Sequence, residues 1–125
     1  MTNVLVAEDE KFLRDIIQMS LLDHAIEVRV ASNGKEAIDA VEEEVPQLLL
    51  LDLLMPRVDG YAVLRHIRER GYDFPVVILS NLGDPLEEEK CMKLGVKDFI
   101  IKSNLDEDQL WEKIEKYLVP AHGSV

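Results

Sequence analysis

Five short apolar runs of strand type alternate along the chain with five segments of helical period. The strand-like runs cover residues 3–7, 27–31, 47–52, 76–80 and 99–102, and the helical segments cover 10–23, 34–44, 60–70, 84–94 and 106–118. The period is clearest in the last helix, where Leu110, Ile114, Tyr117 and Leu118 share a face, and in the first, where Leu13, Ile17 and Leu21 do. Helix-end signals agree with these bounds. Asp84, Pro85 and Glu87 read as an N-cap, a first-position proline and a glutamate able to close a capping box. Asp59 before Gly60, and Asn104 before Glu107, are weaker caps. Gly71 and Gly95 stand where helices should end on a left-handed residue. Strict β/α alternation predicts one parallel sheet with helices on both faces, a three-layer α/β sandwich.

The polar positions inside this pattern point to a site. The greasiest run, Leu48-Leu49-Leu50-Leu51-Asp52-Leu53-Leu54-Met55-Pro56, carries a carboxylate. A charge taken out of water is costly unless something compensates it. The first run ends in Glu8-Asp9-Glu10, the fourth in Ser80 and the fifth in Lys102. Open sheets of this class bind ligands beyond the carboxyl ends of their strands. Taken singly, each polar end has a bland reading: Glu8 and Asp9 as first-turn helix charges favoured by the macrodipole, Ser80-Asn81 as a loop start, Lys102 as a solvated strand end. Four polar ends in matching positions favour a shared site.

Composition narrows the class. At 125 residues the chain predicts a single domain over 1–119 with a loose tail over 120–125, long enough to bury roughly two thirds of its unfolded surface. No apolar stretch reaches membrane-spanning length, and the N-terminus lacks a basic segment followed by a greasy one. The single Cys91 cannot form an internal disulfide, which fits a reducing, cytoplasmic setting. A net charge of −11 argues against this domain gripping nucleic acid by itself. His24, His66 and His122 are scattered without ligand spacing.

The charges predict a chemistry. Glu8, Asp9 and Asp52 bring three negative charges and Lys102 returns one, leaving about the charge of a divalent cation. Oxygen ligands without His or Cys suit a hard ion, Mg²⁺ first and Mn²⁺ as an alternative. Mg²⁺ keeps several waters and takes phosphate oxygens readily, so a phosphoryl group would complete such a site. Lys102 and the Ser80 hydroxyl could then hold equatorial oxygens while a carboxylate attacks in line. Asp52, on the most central strand, is the best nucleophile.

With these residues assembled, the chain resembles the receiver domain of bacterial two-component response regulators over nearly its whole length. The matching positions are Glu8-Asp9, Asp52 followed by Met55-Pro56 and Asp59-Gly60, Ser80, then Gly95, Asp98 and Phe99, and Lys102. The resemblance implies a flavodoxin-like (CheY-like) fold with strand order 2-1-3-4-5. It implies transfer of a phosphoryl group from a sensor histidine kinase, or a histidine phosphotransfer protein, onto Asp52 as phosphoacceptor. It implies Mg²⁺ ligation by Asp9, Asp52 and the backbone carbonyl of Leu54, with Glu8 acting through water, and Lys102 paired to a phosphoryl oxygen. Ser80 would swing inward as a switch residue and Phe99 would follow. The surface of the fourth helix, fifth strand and fifth helix would then change to control a protein target or an effector domain, and the same surface is a candidate for homodimer formation. The fourth helix, with Glu87-Glu88-Glu89 and few apolar anchors, suits that role. Such a domain is not an enzyme beyond its own phosphorylation and slow dephosphorylation. Phe12 and Ile16 are open to two readings, core packing or docking of a kinase helix. Trp111 reads as helix packing or as a partner-facing edge.

Two positions depart from the family pattern. Ser103 follows the lysine where proline is usual, so a trans bond or a strained cis one must place Lys102. Asn81 stands where a small residue is usual. Leu54 and Leu82, two residues after Asp52 and Ser80, are apolar and cannot orient water, which predicts a long-lived phosphorylated state. Leu54 also counts against a haloacid-dehalogenase-like phosphatase or a Toprim-like nuclease, both of which need an acid there. Glu8-Asp9-Glu10 would repel the phosphate of a flavodoxin-type cofactor. The remaining alternative is a receiver-like module that binds proteins without phosphorylation.

Overall fold

The computed structural model describes residues 2–55, 57–81, 85–104 and 107–118. Its strands are β1 (Thr2–Ala7), β2 (Ile26–Ala31), β3 (Leu48–Asp52), β4 (Val76–Ser80) and β5 (Asp98–Ile101). Its helices are α1 (Lys11–Leu21), α2 (Gly34–Glu43), α3 (Gly60–Glu69), α4 (Pro85–Lys93) and α5 (Glu107–Leu118). The strands are all parallel, in the order β2-β1-β3-β4-β5, as expected of a flavodoxin-like sheet.

Side-chain alternation explains why the runs are apolar without a break. Leu5, Leu49, Leu51 and Ile78 feed a core shared with Ala37 and Val41 of α2, Val63, Leu64 and Ile67 of α3, and Cys91 of α4. Val4, Val6, Leu48, Leu50 and Leu79 feed a second core shared with Ile17 and Leu21 of α1 and with Leu110 and Ile114 of α5. Each central strand is thus buried on both faces.

Several bounds differ from expectation. The first helix stops at Leu21 and gives way to a 3-10 turn, Leu22–His24, closed by Ala25 in the left-handed region at φ 55°. Strand β5 starts one residue early, at Asp98, and Lys102 opens a second 3-10 turn, Lys102–Asn104, instead of ending the strand. All peptide bonds among the described residues are trans, the one before Ser103 included. Asp59 caps α3 as expected, accepting from the Ala62 amide at 2.9 Å. Gly71 and Gly95 are left-handed, at φ 85° and 81°. The cap expected at Asp84 and the tail after Leu118 lie outside the described residues, as does the segment joining Asn104 to α5.

Two arginines tie loops across the fold. Arg29 donates to the carbonyls of Ala40 and Glu44, closing the end of α2. Arg68 donates to the carbonyls of Tyr72 and Leu94 and, more loosely, of Gly95 and Phe74. It thereby joins the segment after α3 to the end of α4. No helix among the described residues is long and apolar enough to cross a membrane.

Candidate phosphoacceptor and cation site

Register brings the polar strand ends together. Ala7 pairs with Leu51, so Glu8 and Asp52 stand side by side one step further on. Asp52 pairs with Leu79, and Ser80 pairs with Ile101, which places Lys102 just past the end of β5. Glu8 continues the sheet through its amide, which donates to the Ala31 carbonyl at 3.0 Å. Carboxylate oxygens of Glu8, Asp9 and Asp52 all lie within 4.8 Å of one another. Glu8 and Asp52 are buried while Asp9 is exposed, so the cluster opens to solvent on the Asp9 side.

Lys102 bridges the two buried acids. Its Nζ lies 2.9 Å from Glu8 Oε1 and 3.1 Å from Asp52 Oδ2. Those two oxygens are buried and have no well-aligned hydrogen-bond donor, so they are compensated by charge rather than by a directed bond. The other oxygens are engaged locally: Glu8 Oε2 accepts from the Glu10 amide at 3.1 Å and Asp52 Oδ1 from the Leu54 amide at 3.0 Å.

Protonation equilibria register the shortage of positive charge. Burial pushes the Glu8 carboxyl up to about 7, against the opposing pull of Lys102 and the Glu10 amide. Burial raises Asp52 as well, with the Leu54 amide and Lys102 holding it back in part. Burial alone would lower the Lys102 ammonium, but its contacts with Glu8 and Asp52 outweigh that and raise it. An all-oxygen cluster with two poorly satisfied buried oxygens fits a hard divalent cation.

The bland reading of Glu8 and Asp9 as helix-cap charges does not hold. Helix α1 starts without a side-chain cap bond at Glu10 and without an acid in its first turn. Of the other expected residues, Ser80 is the last residue of β4, one step past Leu79, the register partner of Asp52. Phe99 packs, partly buried, against the core under α2, α3 and α4. The Leu54 side chain is 64 % exposed beside Asp52, and Leu82 falls outside the described residues. Phe12 is 75 % exposed, so core packing is the wrong reading for it, whereas Ile16 is half-buried. Trp111 packs against the second core and stacks on His24, with ring centroids 3.7 Å apart.

Two contributors escaped the sequence reading. One is the close approach at Gly60, where a Cβ would collide with the Asp52 carbonyl oxygen and the Leu53 Cα. Its amide donates to the Leu53 carbonyl at 3.0 Å, so α3 begins in contact with the strand that carries Asp52. Arg14, on the first turns of α1, donates from Nη1 to the carbonyls of Glu8 and Asp9 at 2.8 and 3.0 Å. The available signal was an arginine five residues after an acidic pair, close enough to reach back over its own helix start.

The chain is similar to known proteins in sequence and in fold. Residues 4–115 match the response regulator receiver domain family. The probable transcriptional regulator ycf27 of Porphyra purpurea is 35 % identical over 99 residues, which cover 79 % of this chain and 40 % of that protein. The chain therefore spans about two fifths of the length of the curated relatives it matches. The receiver domain of NtrX from Brucella abortus superposes with a TM-score of 0.83 at 32 % identity, over 92 % of this chain and 97 % of that one. The chemotaxis protein CheY4 of Vibrio cholerae shares the fold, with a TM-score of 0.87 at 22 % identity over 94 % of this chain and 99 % of that one. With its sheet order, its acidic strand ends and this match over most of its length, the chain belongs to the response regulator receiver domain family.

Proposed function

We propose that the domain, over residues 1–119, is a phosphoacceptor switch in which Asp52 takes a phosphoryl group from a phosphohistidine of a sensor kinase or phosphotransfer protein. The observation that carries this reading is the convergence of Glu8, Asp9 and Asp52 to within 4.8 Å, with Lys102 spanning two of them.

An Asp52 carboxylate oxygen attacks phosphorus, forming the acyl phosphate O–P bond as the P–N bond to the donor imidazole breaks and its electron pair stays on nitrogen. Burial gives Asp52 a poorly hydrated carboxylate, and the Leu54 amide on Oδ1 fixes its orientation. Lys102 exchanges its contact with Asp52 for a phosphoryl oxygen, and the Ser80 hydroxyl donates to another. Asp9, Asp52 and the Leu54 carbonyl would hold Mg²⁺, with Glu8 acting through water; when bound, the ion supplies charge neutralisation for the phosphoryl oxygens. Ser80 and Phe99 carry the change to α4, β5 and α5, the surface offered to a protein target, an effector domain or a second copy. Docking of the donor's helix on α1 is supported by the exposure of Phe12. The setting is cytoplasmic.

Incubation with acetyl phosphate and Mg²⁺, followed by intact mass, tests the reading. A single phosphate adduct that is absent from Asp52→Asn and from chelated wild type is expected. A protein that stays unmodified while folded would favour a module that works without phosphorylation.

A further inference from the structure

A turn that must aim two adjacent carboxylates at a third needs its backbone fixed. Residues 8–10 form that turn between β1 and α1. Helix α1 brings no side-chain cap of its own to it. Arg14 supplies the order instead. Nη1 occupies the Glu8 and Asp9 carbonyls at 2.8 and 3.0 Å, and the Arg14 amide occupies the Glu10 carbonyl at 3.1 Å. The Glu10 bond is the first turn of the helix itself, so the guanidinium's own contribution is the two preceding carbonyls, both held by one nitrogen. The Glu8 carboxylate is in turn steadied by the Glu10 amide.

Resting on the reading above, we propose that Arg14 is a positioning residue for the cation site: it clamps the Glu8–Asp9 backbone so that both carboxylates converge on Asp52. Two effects of opposite sign meet here. A guanidinium beside a cation site repels the cation, so deleting it should tighten Mg²⁺ if charge dominated. A clamp on the ligand-bearing turn strengthens binding, so deleting it should weaken Mg²⁺. Arg14 is only half-buried, and solvent screens charges at such positions. Groups that orient ligands are worth about ten- to a hundredfold in metal affinity. The clamp should therefore win.

Calorimetric titration of Mg²⁺ into the whole chain at fixed pH decides the sign, with circular dichroism confirming that each variant is folded. Arg14→Met should bind Mg²⁺ about tenfold or more weakly than wild type. Arg14→Lys keeps the charge and loses the planar fork, and should also bind more weakly than wild type. Lys11→Met removes a positive charge from the same helix turn, where Lys11 pairs only with Asp15 at 2.8 Å in the described residues, and should bind equally or more tightly. A folded Arg14→Met with unchanged or tighter binding overturns the inference while leaving the proposed function standing. If Arg14→Met does not fold, wild-type affinity in Arg14→Lys overturns it. A wild type that takes up no Mg²⁺ overturns both.

Discussion

Glu8 sits in the interior with its charge only partly answered, and burial carries its carboxyl from 4.5 to about 7. Between those values the folded protein keeps a proton that the unfolded chain has released. The stability this proton brings is complete below about 4.5 and drains away as pH rises through about 7. Glu8→Gln keeps the shape and removes the titration. Without metal, the melting temperature of wild type should fall relative to Glu8→Gln as pH rises across that window, and Mg²⁺ should shrink the gap. A gap that is flat with pH, or that moves in favour of wild type, contradicts the assignment. Leu54 carries a second prediction at this scale. Its exposed aliphatic side chain stands beside the nucleophile and offers no group to orient an attacking water. The phosphorylated state should outlast minutes after rapid removal of the donor, and Leu54→Asn should shorten it severalfold by mass. Loss of phosphate from wild type within seconds would contradict this.

At the scale of elements, α3 and α4 are held by unlike means. Gly60 lets α3 start in contact with the backbone of Asp52 and Leu53, where any side chain would force the helix away. Gly60→Ala should cost about 1–3 kcal/mol by urea unfolding and displace the turn behind Asp52. Helix α4 has few apolar anchors among the described residues: Cys91 is buried and Leu94 only packs at the edge of the core. Its carboxyl end is tied down by Arg68 through the carbonyls of Leu94 and Gly95. Arg68→Met leaves those carbonyls and those of Tyr72 and Phe74 without their donor, and should cost on the order of 3 kcal/mol. A cost under about 0.5 kcal/mol, the range of an ordinary surface change, would show that the tie is idle. On the proposed function, α4, with its carboxyl end tied and with slight apolar burial among the described residues, is the element that a change at Ser80 and Phe99 would bias.

At the scale of the molecule, the parallel sheet was legible because every central strand is covered on both faces and so reads as an unbroken apolar run. Glu8, Asp52 and Lys102 were legible because charges at the ends of such runs are conspicuous. The lysine's own geometry was not. Nothing in Phe99-Ile100-Ile101-Lys102 distinguishes a last strand residue from the first of a 3-10 turn, because the step is set by the fold around it. The ties made by Arg29 and Arg68 were hidden for the same reason: an arginine aimed at backbone carbonyls has the same sequence signature as a solvated one. The cap at Asn33, which accepts from the Glu36 amide at 2.9 Å, is by contrast of a residue type that favours it. The proposed function rests at every scale on buried acids from neighbouring strands meeting at Asp52. The most direct measurement is borohydride reduction of the protein after acetyl phosphate and Mg²⁺, then peptide sequencing by mass across residues 48–59. Conversion of Asp52 to homoserine, absent without donor, is the predicted result; an unchanged Asp52, or conversion at Asp59 instead, would contradict the account.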